Sequence, residues 1–285
     1  MKIILLGTGC PSVDPNRYGP SNLIYTNNTK ILIDCGSGIT QRLFQSGYQG
    51  SEIDYLLLTH LHSDHVVDFY QLIISSWHQY RKKPWKIIGP LGTKKFINQI
   101  MDSWQDERNL RIEYEKRESI NAFELEITEI ETEGKIKLND IDLEYFDVDH
   151  KPVQYAFGYN FINNGKKITI SGDTRPCKNI EKYSINSDLL IHEVFIEGEI
   201  VPINGMRSEE TLHNVKAYHT LSTEVGKIAK KVQAKNLVLT HFVPPNFDEK
   251  KLMKLISNDY GKEPIIGKDL MTVDTDGKIY YNNSK

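Results

Sequence analysis

The fold is decided by one stretch of sequence, Thr59-His60-Leu61-His62-Ser63-Asp64-His65, which brings four metal-binding side chains together within six residues. The stretch directly follows the apolar run 55–58, so the pattern predicts a strand that ends in a ligand-bearing loop. Imidazole nitrogen and carboxylate oxygen suit zinc, and they also suit manganese or iron. No cysteine lies nearby to close a structural site, so we expect a catalytic metal centre. The alternative is a solvated polar turn, but loops seldom gather three histidines within six positions.

Length and composition limit the class of the protein. The 285 residues carry no linker and no low-complexity segment, so we expect one domain spanning 1–285. A net charge of -3 gives no sign of the basic surface that nucleic-acid-binding proteins usually carry. The apolar run at the start is too short for a signal peptide, and no stretch is long enough to span a membrane. Cys10, Cys35 and Cys177 have no paired spacing, which favours a reducing compartment, and we expect the cytoplasm.

Hydrophobic patterning predicts strands that alternate with a few helices. Strands are predicted at 2–6, 22–26, 30–34, 55–59, 124–130, 135–148 with a turn at 139–140, 155–162, 166–170, 188–191, 236–240, 271–274 and 278–281. Helices are predicted at 66–80, 94–108 and 222–232, the last with Ser222 as its N-cap. The charged run Arg81-Lys82-Lys83 is expected to be a solvated face.

The pattern HxHxDH at 60–65 resembles the signature of the metallo-β-lactamase superfamily. The resemblance implies an α/β fold, a four-layer αββα sandwich in which helices cover the outer faces of two sheets. It also implies two divalent metal ions, with Zn2+ as the first choice and Mn2+ or Fe2+ as alternatives. One ion would be held by His60, His62 and His150 and the other by Asp64, His65 and His241, with Asp173 bridging. Asp34 and Thr59 would orient the ligand histidines from behind.

The later ligands of this set follow strand-like runs, as the resemblance requires. His150 ends the run 141–149, Asp173 follows 168–170, and His241 follows 237–240. The donors would therefore gather where strands end and loops begin.

Further motifs, which span nearly the full chain, resemble ribonuclease Z and its close relatives. They are Gly7-Thr8-Gly9, the run 34–41, Ser171-Gly172-Asp173-Thr174, Leu190-Ile191-His192-Glu193, and His219 with Ser222-Thr223. The run 14–21 and Ala217-Tyr218-His219-Thr220 also resemble the arylsulfatase-like branch of the same group. The resemblance implies that Glu193 orients His219, which would stabilise the transition state and serve as the acid.

The candidate catalytic residues are Asp64, which is also a ligand, Glu193 and His219. A carboxylate beside an imidazole raises its pKa and fixes its tautomer, so His219 could donate a proton at neutral pH. The alternative is that Glu193 caps a turn and His219 is a surface histidine. The pair favours phosphoester or sulfoester chemistry, because lactonase and lactamase relatives are not expected to carry it.

These features predict a dinuclear metal-dependent hydrolase of phosphodiesters or similar esters, similar to ribonuclease Z. The alternatives are arylsulfatase-like hydrolysis of sulfate esters, 3′ processing of transfer RNA, and a non-catalytic metal-binding module. Only about twenty residues separate His150 from Asp173, where ribonuclease Z enzymes usually place a long arm that grips tRNA. We therefore expect a small phosphodiester or aryl ester substrate, with RNA as the alternative. No membrane partner is expected, and a homodimer is expected because relatives are commonly dimers.

Overall fold

The apolar runs of the sequence pair into two sheets. The computed structural model describes residues 1–281. Its strands are β1 Lys2–Gly7, β2 Ser21–Tyr25, β3 Lys30–Ile33, β4 Tyr55–Leu57, β5 Trp85–Pro90, β6 Leu125–Ile130, β7 Gly134–Leu138, β8 Ile141–Asp147, β9 Phe157–Asn163, β10 Lys166–Ile170, β11 Leu189–Phe195, β12 Asn236–Val243, β13 Ile265–Ile266, β14 Met271–Asp274 and β15 Ile279–Tyr281.

Helices connect these strands and lie on the outside of the sheets. They are α1 Ile39–Gln45, α2 Ser63–Val66, α3 Phe69–His78, α4 Thr93–Ser103, α5 Gln105–Glu115, α6 Lys178–Tyr183, α7 Glu209–Lys216, α8 Val225–Lys231 and α9 Glu249–Tyr260, with single 3₁₀ turns at Gly50–Glu52 and Asn121–Phe123. Within the described chain, every helix is too short or too polar to cross a membrane.

The strand order places the loops of the two sheets at a common edge. The first sheet has the order β15-β14-β1-β2-β3-β4-β5-β6, and the second has the order β13-β12-β11-β10-β9-β8-β7. Strands β3 to β6 are parallel, and so are β10 to β13. Since parallel strands end at the same edge, the loops that follow β3, β4, β10 and β12 can converge on one site.

The buried apolar residues lie between the two sheets and beneath the helices on their outer faces. Between the sheets, one apolar cluster joins Ile33 and Leu57 of the first sheet to Phe161 and Val238 of the second. Helices α1, α3 and α4 cover the outer face of the first sheet, and α8 and α9 cover that of the second. The αββα sandwich predicted from the sequence is therefore confirmed.

Several element boundaries differ from the sequence prediction. The helix predicted at 66–80 is α3, which begins three residues later, while Val66 ends α2. The helix predicted at 94–108 is divided between α4 and α5. Ser222 is not an N-cap, because α8 begins three residues later and the Ser222 hydroxyl instead accepts a hydrogen bond from the Glu197 amide at 3.3 Å. Strands β5 and β13 and helices α1, α6, α7 and α9 were not predicted.

Arg81 corrects the prediction of a solvated charged run. The side chain is only 1% exposed, whereas its neighbour Lys82 is largely exposed. Its guanidinium donates hydrogen bonds to the main-chain oxygens of Gly50, Ile53 and Pro84 at 2.8, 2.8 and 2.7 Å. Arg81 therefore links the turn after α3, which also contains Pro84, to the segment 50–53.

Candidate metal centre

Unusual backbone conformations aim the candidate ligands at the centre. Gly172 has a φ of 60°, and a Cβ atom there would lie 2.6 Å from the Phe157 oxygen, so only glycine allows the turn that precedes Asp173. His241 has a φ of 44° and sits at a register shift, since Thr240 and Phe242 pair with consecutive residues of β11. This bulge turns His241 out of the strand pattern, as bulges beside functional sites commonly do.

The first cluster contains His60, His62 and His150. One donor nitrogen of each lies within 4.8 Å of the others. The closest pair is His62 Nδ1 and His150 Nε2, 3.3 Å apart. His60 and His150 are buried, and burial lowers the pKa of both, so these imidazoles are neutral and present free nitrogen lone pairs.

The second cluster contains Asp64, His65 and His241. Asp64 Oδ2 lies 3.6 Å from His65 Nε2 and 3.3 Å from His241 Nε2. The two imidazole rings are stacked with centroids 5.2 Å apart. Each cluster thus brings together the three donors that the resemblance implied for one ion.

Asp173 lies between the two clusters. Its Oδ2 atom is 3.9 Å from His60 Nε2 and 4.0 Å from His150 Nε2 on one side. On the other side it is 3.4 Å from His65 Nε2 and 3.2 Å from His241 Nε2. Although burial alone would raise the pKa of this carboxyl, the surrounding histidines hold it well below its usual range. Asp173 is thus an anion facing both clusters.

Each of three ligand histidines is oriented by a hydrogen bond on the far side of its ring. The contacts are His60 Nδ1 with Thr59 Oγ1 at 3.0 Å, His65 Nδ1 with Asp34 Oδ2 at 2.9 Å, and His150 Nδ1 with the Tyr218 main-chain oxygen at 2.9 Å. Asp34 and Thr59 therefore occupy the orienting positions that the sequence predicted. Such contacts fix ring orientation and leave Nε2 directed at the centre.

The donor set fits a divalent cation. Among residues 1–281, the buried Nε2 atoms of His60 and His65 have no hydrogen-bond partner. A buried polar atom without a partner is costly, and a coordinated ion satisfies it. Neutral imidazoles combined with carboxylates are the donors that divalent transition metals prefer. The protein therefore has a divalent-metal site.

Glu193 and His219 form a hydrogen-bonded pair beside the candidate ligands. Glu193 Oε1 is 3.0 Å from His219 Nδ1 and also accepts hydrogen bonds from the amides of Thr174 and Thr220. Burial opposes the charged form of His219, but the Glu193 carboxylate outweighs it, so the pKa of His219 is raised. The His219 ring lies 5.3 Å from that of His150.

His219 also has a competing interpretation. Donor atoms of His150, Asp173 and His219 come within 4.8 Å of one another, which would allow His219 to act as a ligand. However, its Nδ1 already engages Glu193, which leaves one nitrogen for either role. Measuring the metal content and the activity of a His219 variant would distinguish a metal ligand from a residue that acts with Glu193.

Other histidines lie away from the centre or behind it. His78 Nδ1 contacts the Arg117 guanidinium at 2.6 Å, and His213 is exposed on α7. His192 is fully buried, with Nδ1 2.8 Å from the Glu193 main-chain oxygen. The main-chain oxygen of Tyr218 was not predicted as a partner of His150, although Tyr218 belongs to the motif Ala217-Tyr218-His219-Thr220.

A cavity of about 440 Å³ opens beside Asp64. One wall is the loop 10–18, and the opposite wall includes Ser37, Ser63 and Val67. The volume is in the range of small-molecule sites. The candidate centre is therefore reachable by a compact ligand from the side of Asp64.

Several known proteins are similar to this chain in sequence or in fold. Residues 1–251 match the family described as Anti-Pycsar protein Apyc1. Ribonuclease Z of Mycolicibacterium paratuberculosis is 30% identical over 282 residues, which cover 97% of this chain and 99% of that protein. The metallo-β-lactamase fold protein YhfI from Bacillus subtilis superposes with a TM-score of 0.73 at 20% identity, covering 95% of this chain and 97% of that one. The short form of human tRNase Z gives a TM-score of 0.71 at 22% identity, covering 96% and 99%.

These relatives favour phosphodiester chemistry over sulfate ester hydrolysis and over a non-catalytic role. The chain therefore belongs to the Anti-Pycsar protein Apyc1 family and is a ribonuclease Z-like, metal-dependent hydrolase of phosphodiester bonds with the metallo-β-lactamase fold.

Proposed function

We propose that this protein hydrolyses small phosphodiesters at a centre of two divalent metal ions, with Zn2+ as the first choice and Mn2+ or Fe2+ as alternatives. The observation that carries the proposal is the position of Asp173, whose Oδ2 atom lies within 4.0 Å of histidine nitrogens from both clusters. Two neighbouring cations repel each other, and a shared carboxylate between them reduces that repulsion.

The ligand clusters would each hold one ion. His60, His62 and His150 would bind the first, Asp64, His65 and His241 the second, and Asp173 both. Divalent ions in such a site polarise phosphoryl oxygens and generate a nucleophile from water near neutral pH. The chain itself would hold the histidine rings in fixed orientations, through Asp34, Thr59 and the Tyr218 carbonyl.

His219 would protonate the leaving oxygen. Glu193 engages Nδ1 of His219 and raises its pKa, so the imidazolium form persists toward neutral pH and Nε2 carries a transferable proton. An alkoxide is a poor leaving group, and its departure is assisted by proton transfer from a positioned acid. In this proposal Glu193 acts through His219 and touches no substrate.

The substrate is proposed to be small because the chain builds no separate RNA clamp. The segment between His150 and Asp173 is occupied by β9, β10 and their short connections. Tight tRNA binding depends on lysines and arginines along the phosphate backbone, and this chain has a net charge of -3. The curated relatives named Ribonuclease Z favour a second candidate, 3′ processing of transfer RNA.

A substrate panel tests the proposal. Metal-loaded protein is assayed with a bis-aryl phosphate, an aryl sulfate and a precursor tRNA, each at low and at physiological salt. We expect the bis-aryl phosphate to have the highest specificity constant, and cleavage of the tRNA to be weak and to fall as salt rises. Efficient, site-specific tRNA cleavage at physiological salt would favour tRNA maturation, and turnover of the sulfate alone would overturn both candidates.

We further propose that the chain is a single domain that forms a homodimer. Apolar residues from both halves of the sequence meet in the core between the sheets, which supports one domain. Helix α5 buries none of its side chains within the described chain, while Leu110 and Tyr114 on it are 66% and 86% exposed. A helix gains most of its stability by packing one face, so a second copy of the chain is proposed to cover α5.

The three cysteines bear on the proposed compartment. Cys10, Cys35 and Cys177 are free thiols, and the first two are buried. Free thiols persist where the surroundings are reducing, which supports the proposal of a cytoplasmic protein.

A further inference from the structure

Tyr218 lies beside the centre without serving as a ligand side chain or as the proposed acid. Its ring packs at 89° against His150 with centroids 4.9 Å apart, and lies 4.7 Å from the ring of His219. Its main-chain oxygen accepts the hydrogen bond from His150 Nδ1 at 2.9 Å. The main chain and the ring are therefore both held in place next to the proposed proton donor.

Among residues 1–281, no group forms a hydrogen bond with the hydroxyl of Tyr218. By contrast, the buried Tyr159 and Tyr260 donate their hydroxyl hydrogens to main-chain oxygens at 2.6 and 2.7 Å. Tyr159 and Tyr260 are buried, whereas the Tyr218 side chain is only partly buried, so its hydroxyl can exchange water for a bound molecule.

We propose that Tyr218 is a further substrate-binding residue, whose hydroxyl donates a hydrogen bond to a phosphoryl oxygen of the phosphodiester on the side of His150 and His219. The inference rests on the proposed phosphodiester substrate. A phosphoryl oxygen carries negative charge, and hydrogen bonds to charged acceptors are about twice as strong as neutral ones. The ring fixed against His150 keeps the entropy cost of this contact low.

The test compares Tyr218→Phe, which removes only the hydroxyl, with Tyr80→Phe, a matched change at a residue that is 78% exposed and follows the C-terminal end of α3. Three quantities are measured on metal-loaded protein: metal content, kinetics with a bis-aryl phosphate, and the dissociation constant of inorganic phosphate by calorimetry. For Tyr218→Phe we expect KM and the phosphate dissociation constant to rise by roughly tenfold, with unchanged metal content. Tyr80→Phe should match the parent protein.

Two results would overturn the inference. In the first, Tyr218→Phe binds phosphate and the bis-aryl phosphate as the parent does, which would show that the hydroxyl makes no contact with either. In the second, Tyr218→Phe loses metal, which would show that the side chain acts through His150. If the parent protein hydrolyses no phosphodiester, the proposed function fails, and phosphate binding still decides the role of Tyr218.

Discussion

Asp173 lies between the two candidate ligand clusters, and its carboxylate faces four histidine nitrogens. We expect Asp173→Ala to lower the metal content from about two ions per chain and to abolish turnover, since bridging and reaction geometry are lost together. Elemental analysis and the bis-aryl phosphate assay check this. Asp142→Ala, a change at an exposed carboxylate of β8, is the control and should alter neither quantity.

A full metal complement in Asp173→Ala would show that the carboxylate does not bridge. Only trace metal in the loaded parent protein would contradict the dinuclear centre altogether.

His219 is expected to act on proton transfer rather than on metal binding. His219→Ala should keep near-normal metal content and lose on the order of a hundredfold in kcat, the size expected for a positioned acid. The loss should be larger for esters with poor leaving groups, because good leaving groups need no proton. The measurements are elemental analysis and kcat for a series of phosphodiesters with graded leaving groups.

Equal losses across that series would show that His219 is not the acid. A lowered metal content would instead assign His219 to the ligands, the role that its distance from His150 and Asp173 also allows.

At the residue scale, the sequence predicts side-chain donors well and main-chain partners poorly. The resemblance identified His150, Asp173 and His241 because each stands after a strand-like run. The oxygen that orients His150 belongs to the main chain of Tyr218, and every residue type carries such an oxygen. Only the folded chain therefore identifies it.

Among the elements, the turn between α3 and β5 depends on one buried cation. Arg81→Ala removes the donors for three main-chain oxygens, so we expect the free energy of unfolding to fall by about 3 kcal/mol. Lys82→Ala, at the exposed neighbouring position, should change it by less than about 0.5 kcal/mol. Urea unfolding of both variants measures the difference, and equal effects would show that Arg81 is dispensable to the turn.

The predicted helix boundaries were wrong where tertiary contacts override the periodic spacing of hydrophobic residues. Apolar spacing continues from α2 through α3, yet Asp68 stands between them and accepts hydrogen bonds from the amide and hydroxyl of Thr40 at 2.8 and 2.6 Å. Helix α5 was predicted only as the end of a longer helix, because none of its side chains is fully buried within residues 1–281 and its apolar pattern is correspondingly weak. Most strands lie where alternation and apolar runs predicted them, since such patterns report burial, whereas the layers were expected from the resemblance.

For the whole molecule, the exposed face of α5 makes the oligomeric state testable. Leu110→Glu combined with Tyr114→Glu should convert a dimer to a monomer, because charge on a buried apolar interface is costly. Ile185→Lys changes an exposed apolar residue elsewhere and should leave the dimer intact. Light scattering coupled to size exclusion measures the mass, and a monomeric parent protein would contradict the proposed dimer.

The centre draws its donors from both sheets, since His60 to His65 follow β4 of the first sheet, while Asp173 follows β10 and His241 lies in β12 of the second. Bound ions would consequently be a thermodynamic link between the two halves of the sandwich. Ions that bind only the folded chain stabilise it in proportion to the logarithm of their free concentration. Chelation should therefore lower Tm, and re-addition of zinc should restore it in a concentration-dependent way. The supply of metal would then determine the stability of the folded protein as well as its rate of turnover.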